Sequence, residues 1–169
     1  LSKIDNQLIC GHNDGTFAVA GERIEKLSAI NGGWTLKKLN NNPNFLIQGT
    51  YTGLAIYAKN ASGNWIFSHR VAGFGEPSRY VEQDHKGNIW VSHAYKGLYR
   101  IAVSADLKRA TSIQYYDKNN GLPSSFNINT FNLENRVVFS SDSGFYVYDD
   151  ISNRFSKYSE LNNKLGGFY

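Results

Sequence analysis

Ile89-Trp90-Val91-Ser92-His93-Ala94-Tyr95-Lys96-Gly97-Leu98-Tyr99 is an apolar run, a short polar turn, a glycine, and a second run of aliphatic and aromatic residues. Three other stretches carry the same pattern. They are Leu8-Ile9-Cys10-Gly11-His12-Asn13-Asp14-Gly15-Thr16-Phe17, Leu46-Ile47-Gln48-Gly49-Thr50-Tyr51-Thr52-Gly53-Leu54-Ala55 and Val138-Phe139-Ser140-Ser141-Asp142-Ser143-Gly144-Phe145-Tyr146. With Gly15, Gly53, Gly97 and Gly144 as phase markers, the unit recurs roughly every 40–50 residues, the repeat length of β-propeller blades. The expected fold is therefore all-β, a propeller fragment of four blade repeats over residues 1–169. The repeats run approximately 1–30, 31–75, 76–121 and 122–169.

The residues around the markers support this reading. In Gly53-Leu54-Ala55-Ile56-Tyr57, Gly97-Leu98-Tyr99-Arg100-Ile101 and Gly144-Phe145-Tyr146-Val147-Tyr148 both alternating faces are largely apolar or aromatic, the pattern of a strand buried on two sides. Asp84-His85-Lys86-Gly87-Asn88 is a hairpin turn leading into Ile89. Gly121-Leu122-Pro123-Ser124-Ser125-Phe126 repeats Gly75-Glu76-Pro77-Ser78-Arg79-Tyr80, and both read as crossovers between blades. Inner strands are then expected near Arg79–Asp84 and Phe126–Phe131, and outer strands near Trp65–His69, Ser112–Tyr116 and Arg154–Tyr158. The segment 21–29 lacks a cap and reads as strand plus loop. Glu160 to Leu165 reads as one helical turn or a connector. The first repeat has only Leu1 to Ile4 ahead of its turn, too little for a full inner strand. The chain thus resembles an arc cut from a larger ring.

Composition narrows the function classes. Lys and Arg number 18 against 14 Asp and Glu, a net charge of +4. The basic residues are scattered, whereas a nucleic-acid binder concentrates them on one face, so no nucleic-acid partner is expected. No apolar run approaches the ~18–20 residues of a membrane helix, and no direct membrane insertion is expected. The chain begins at Leu1 and contains no methionine, and it reads as a piece of a longer polypeptide. The single cysteine, Cys10, lies in an apolar run and reads as a small core residue.

Tyr80 to His93 and Gly97-Leu98-Tyr99-Arg100 resemble the two-component regulator propeller repeat, which typically runs Asp-x-x-Gly-x-Ile-Trp-Ile-Gly-Thr, a short loop, then Gly-Gly-Leu-Tyr-Arg-Tyr. Asn120-Gly121-Leu122-Pro123-Ser124 looks like that family's inter-blade connector, and Asn153-Arg154-Phe155-Ser156-Lys157-Tyr158 like its blade ending. The first, second and fourth repeats lack the tryptophan and the Asp-x-x-Gly turn. The resemblance implies the extracytoplasmic, periplasmic sensor region of a bacterial inner-membrane regulator with about seven blades. Its output would be a histidine kinase or a DNA-binding domain outside these residues. A carbohydrate-derived small molecule or oligosaccharide is the ligand class that the resemblance implies. The remaining blades of the ring, and a homodimer, are the expected protein partners.

No catalytic constellation is legible, and no cofactor or metal is expected. Glu82 and Asp84 alternate onto one strand face, which suggests the carboxylate pair of glycoside chemistry. The plainer account gives Asp84 the turn and Glu82 the wall of a wet central channel. Ser124-Ser125 and Ser140-Ser141 have no identifiable His or Asp partner. His12, His69, His85 and His93 lack metal-ligand spacing. Trp90 reads as a packing residue whose indole N–H finds a carbonyl. A ligand or partner would instead meet the rim built from the loops between second and third strands and the crossovers. The candidate residues there are His12, Asn13, Tyr51, Arg79, His93, Tyr95 and Asp142. The third loop is one residue longer than the others and projects furthest. The leading expectation is ligand sensing without catalysis. A structural or dimerisation module is the alternative, and a glycosidase or lyase stands third.

Overall fold

A computed structural model describes residues 1–166; residues 167–169, the end of the fourth repeat, lie outside the described residues. Among the described residues sixteen strands form four antiparallel four-stranded sheets, each a meander of consecutive strands. Sheet 1 holds β1 (Ser2–Ile4), β2 (Gln7–His12), β3 (Gly15–Ala20) and β4 (Arg23–Ser28). Sheet 2 holds β5 (Leu36–Lys38), β6 (Phe45–Thr50), β7 (Gly53–Lys59) and β8 (Trp65–Arg70). Sheet 3 holds β9 (Tyr80–Gln83), β10 (Ile89–His93), β11 (Gly97–Val103) and β12 (Ala110–Tyr116). Sheet 4 holds β13 (Asn129–Leu133), β14 (Arg136–Ser141), β15 (Gly144–Asp149) and β16 (Arg154–Lys157), followed by a short helix α1 (Ser159–Leu165).

Successive sheets stack face to face, and each junction is an apolar core. Ile9, Leu46, Tyr57 and Trp65 fill the junction of sheets 1 and 2. Ile47, Leu54, Ile56, Val81, Ile89 and Ile101 fill that of sheets 2 and 3. Trp90, Leu98, Tyr116, Phe139, Tyr146 and Phe155 fill that of sheets 3 and 4. Burying each such side chain contributes about 1.5–3 kcal/mol relative to leaving it in water. The first strands β5, β9 and β13 lie beside one another, as the inner strands of a propeller do. The architecture is all-β and propeller-like, four sheets joined by three cores.

The marker glycines have a common cause. Gly15, Gly53, Gly97 and Gly144 have φ of 137°, 107°, 94° and 117°, the region that side chains other than glycine's avoid. A Cβ on Gly15, Gly53 or Gly97 would stand 2.2–2.4 Å from the carbonyl oxygen of Ser28, Phe74 or Tyr116, where the chain leaves the outer strand of the same sheet. The glycine is the price of letting that departing chain cross the hairpin. At Gly144 the crossing oxygen is the Asn162 side-chain Oδ1 instead, at 2.6 Å from the added Cβ. The Asn162 amide accepts from the Phe145 N–H and donates to the Phe145 carbonyl, both at 2.9 Å, so α1 docks where the earlier sheets have a crossover.

Several expectations need correction. The first repeat does have an inner strand: β1 pairs with β2 through Ser2↔Ile9, Lys3↔Leu8 and Ile4↔Gln7. Three residues suffice because the partner strand supplies the ladder. The inner strand of sheet 4 starts at Asn129 rather than Phe126. Ser124 Oγ accepts from the Phe126 N–H and Asn127 has φ 53°, so the chain is still turning there. The segment 21–29 is strand plus loop as expected, with β4 over Arg23–Ser28, whereas Glu160 to Leu165 belongs to the seven-residue helix α1 rather than to a single turn or a connector.

Candidate functional site

The hairpins β2–β3, β6–β7, β10–β11 and β14–β15 share a rim with the crossovers between sheets. The structure gathers the candidate residues there into two groups and leaves two apart. In the first group the Tyr51 hydroxyl donates to Asn13 Oδ1 at 2.6 Å, and the Tyr51 N–H to the Asn31 carbonyl at 3.2 Å. The Tyr51 ring lies on Gly32, where a Cβ would meet it at 2.1 Å, and packs edge-to-face on Trp34 with centroids 4.7 Å apart. Tyr51 stays 37% exposed, so this is a pinned aromatic ledge across sheets 1 and 2.

The second group joins the crossover before sheet 3 to its long hairpin. His93 is 6% exposed, and its Nδ1 accepts from the Tyr95 N–H at 3.0 Å. That leaves Nε2 as the protonated nitrogen, 3.6 Å from Glu76 Oε2. Lys96 Nζ donates to the same carboxylate at 3.0 Å. Burial holds the His93 imidazole below its ordinary value, the Lys96 charge adds to this, and Glu76 opposes it. Tyr95 is 73% exposed at the tip of the three-residue loop, above the ring chain Phe74–Tyr99–Tyr115.

Arg79 links the two groups through its backbone. Its carbonyl accepts from Thr35 Oγ1 at 2.8 Å and its N–H donates to the Ser92 carbonyl at 3.1 Å, while the exposed guanidinium lies 5.2 Å from the Tyr80 ring centroid. His12 repeats the His93 geometry, its Nδ1 accepting from the Asp14 N–H at 3.2 Å, but it stands exposed beside Phe17. Asp142 is exposed in the fourth hairpin, and among the described residues no hydrogen bond or ion pair links it to the other six. Sequence reasoning missed Trp34 and Glu76. Both lie in crossovers, which vary from blade to blade; Gly32-Gly33 beside Trp34 was the available signal.

The acidic residues on the inner strand are fully engaged. Glu82 borders a hollow on the inner-strand side together with Lys37 and Asn132, yet it is only 5% exposed and its carboxylate pairs with Lys37 of β5 at 2.7 Å. Asp84 Oδ1 accepts from the backbone N–H of Lys86 and Asn88, both at 2.9 Å, as a turn-forming aspartate does. Its Oδ2 accepts from Trp90 Nε1 at 3.1 Å and Arg100 Nη2 at 3.0 Å. The indole N–H of Trp90 therefore finds a carboxylate rather than a carbonyl. Arg100 lies between the Trp90 and Tyr148 rings, 5.2 and 5.1 Å from their centroids, and reaches Asp150 of sheet 4 at 2.8 Å. Burial alone would lower its pKa, but the bonds to Asp150 and Asp84 outweigh burial and raise it. This cluster clamps sheet 3 to sheet 4. Among the described residues no three His, Cys, Asp or Glu side chains converge as metal ligands would. No helix among them is long and apolar enough to cross a membrane.

No family model matches the chain, and no curated protein matches it. Among solved structures it is similar to the "extracellular domain of the putative one component system BT4673 from B. thetaiotaomicron", with a TM-score of 0.64 and 16% identity. The match covers 89% of this chain and 20% of that one, so the chain spans a small part of the structure it matches. At that identity the likeness establishes the fold.

Proposed function

We propose that the chain is a four-blade arc of a larger sensor propeller, of about seven blades, in the extracytoplasmic part of a bacterial membrane-bound regulator. It recognises a ligand without transforming it. The observation that carries this reading is that nearly the whole chain follows one fifth of the extracellular domain of a one-component system. The engagement of Glu82 by Lys37, and of Asp84 by Trp90 and Arg100, supports a role without acid–base chemistry. Carbohydrate-derived ligands suit the rim, where Tyr51 and Tyr95 offer flat apolar faces with hydroxyls and Arg79 a fork of donors. Calorimetric titration of the full-length protein with an oligosaccharide panel, with the products analysed afterwards, tests this. The expected result is saturable binding with the glycan recovered intact, weakened about tenfold or more by Tyr51→Ala, Arg79→Ala or Tyr95→Ala (at least 1.4 kcal/mol). Glycan cleavage, or affinity unchanged in all three variants, overturns the reading.

A further inference from the structure

At the end of the sheets away from the rim, the second and third junctions are closed from both sides. Counting from the marker glycine, the third residue along the strand faces the following sheet: it is Ile56 in sheet 2 and Arg100 in sheet 3. The last hairpin of the following sheet closes the gap from the other side. Sheet 3 sends Leu107 of the β11–β12 hairpin back into the core it shares with sheet 2, where it is 8% exposed. Sheet 4 sends Asp150 of the β15–β16 hairpin to Arg100 at 2.8 Å. Between sheets 1 and 2 neither device is present among the described residues. The third residue there is Ala18, and its pairing with Ile9 turns it toward sheet 2. The β7–β8 hairpin, Asn60-Ala61-Ser62-Gly63-Asn64, has no large apolar or charged side chain to send back. It closes on itself instead, with Asn60 Oδ1 accepting from the N–H groups of Ser62 and Asn64, both at 3.0 Å.

The result is a hollow of about 580 Å³ with a wall from each of the two sheets. Small-molecule sites run from roughly 300 to 1,000 Å³. Ala18 and Ala20 form the floor, and Gln7, Arg23, Glu25 and Asn64 the polar wall. Arg23 pairs with Ala20 and Glu25 with Ala18, so both charged side chains lie on the face toward sheet 2. Gln7 is fixed by the Trp65 backbone, its Oε1 accepting at 2.6 Å and its Nε2 donating at 3.3 Å. The side chains of Arg23, Glu25 and Asn64 make no hydrogen bond or ion pair among the described residues.

An unpaired cation and an unpaired anion on one strand face select the charge of a ligand. A simple anion drawn to Arg23 meets Glu25, and a simple cation drawn to Glu25 meets Arg23. A ligand carrying both charges satisfies both. The two residues stand two strand positions apart, about 6.5 Å, close to the roughly 7 Å that two extended residues span. The free Asn64 amide offers a donor and an acceptor to a peptide group between the charges. Among the described residues no aromatic ring borders the hollow, so the stacking that suits Tyr51 and Tyr95 to a sugar has no counterpart here.

We propose that the cleft between sheets 1 and 2, at the end opposite the rim, binds a dipeptide with free termini, its carboxylate on Arg23 and its ammonium on Glu25. The site is separate from the rim, so it stands or falls independently of glycan binding there.

The test is calorimetric titration of the full-length protein with a panel of alanyl-X dipeptides, in free, C-terminally amidated and N-acetylated forms. Saturable binding of at least one free dipeptide is expected, weakened about tenfold or more by either block, as loss of a charge pair requires. Arg23→Gln is expected to weaken the free dipeptide to the level of its amide without weakening the amide further, and Glu25→Gln to do the same for the acetylated form. Both side chains are exposed, so Tm is expected to hold in both variants and the readout is binding rather than folding. Ala18→Ile, which gives sheet 1 the residue that sheet 2 carries, is expected to fill the floor and abolish binding. Absence of saturable binding across the panel overturns the inference. So does an affinity that neither block nor either charge variant changes, and so does free alanine binding as tightly as the dipeptides.

Discussion

Asp84 holds more of the third junction than its turn position announces. Its two oxygens accept from two backbone amides, the Trp90 indole and the Arg100 guanidinium, and both ionic side chains are nearly buried. Removing one member of such a pair strands the other in a medium that solvates it poorly. Asp84→Ala is expected to destabilise the protein by about 3–5 kcal/mol, read as a fall in the urea midpoint, with Asp84→Asn intermediate because it keeps the turn acceptor. A loss under about 1 kcal/mol, the range of exposed ion pairs, would mean that the cluster is solvated. His93 gives a pH signature. Its folded pKa is lowered, first by burial, so near and below the ordinary imidazole value the unfolded chain binds more protons than the folded one. Its contribution to stability is present above pH of about 6.5 and is lost as pH falls toward its lowered folded value. Urea titrations at pH 7.5 and pH 5 are expected to show the protein weaker at pH 5, with His93→Gln reducing the difference. An unchanged difference would place the acid sensitivity elsewhere.

At the level of the element, the repeated hairpin was legible because its cause is local. A positive φ beneath a crossing carbonyl admits glycine almost alone, so the phase marker survives while its neighbours vary. Gly97→Ala is expected to cost at least about 1–3 kcal/mol, the cost of a disallowed backbone region, and more for the Tyr116 carbonyl 2.4 Å from the new Cβ. Gly144→Ala should cost less, because Asn162 can rotate away, and Gly63→Ala less still, because nothing lies within 4 Å of it. Equal losses in thermal melts of the three variants would reject the crossing-carbonyl account. The same locality explains what the sequence hid. Trp34 and Glu76 act through the crossovers, where partners come from different sheets, and no periodicity within one strand marks them. The role of Arg100 was hidden for the same reason, since Asp84 and Asp150 reach it from two sheets. Residue types alone drew attention to Glu82 and Asp84 as a carboxylate pair, and the pairing of each with a cation is a fact of tertiary placement.

For the whole molecule, stability is distributed along the arc as in other repeat proteins, by junctions rather than by a single core. Sheets 2 and 3 have a neighbour on each face. Sheet 4 is held by an aromatic core centred on Trp90 and by the Arg100 clamp, and α1 docks on its last hairpin. Sheet 1 has one packed face and an inner strand of three residues. Its further ties include the Gln7 side chain bonded to the Trp65 backbone, the buried Thr16–Gln48 bond, the Tyr51–Asn13 bond on the rim, and Asp5 held between Lys38 and Lys59. The hydrogen bond from Lys38, then that from Lys59, pulls the Asp5 carboxyl down to about 2, so the tie persists in mild acid, but it is exposed to salt screening. The first sheet is therefore the unit that opens at lowest free energy. Native-state hydrogen exchange followed by mass spectrometry on the 169-residue chain should show amides of β2–β4 exchanging before those of β6–β11, with the gap widening as salt weakens the Asp5 tie. Exchange at one common rate across all four sheets would mean that the arc unfolds as a single cooperative block, and that the junctions are too strongly coupled for the free face of sheet 1 to matter.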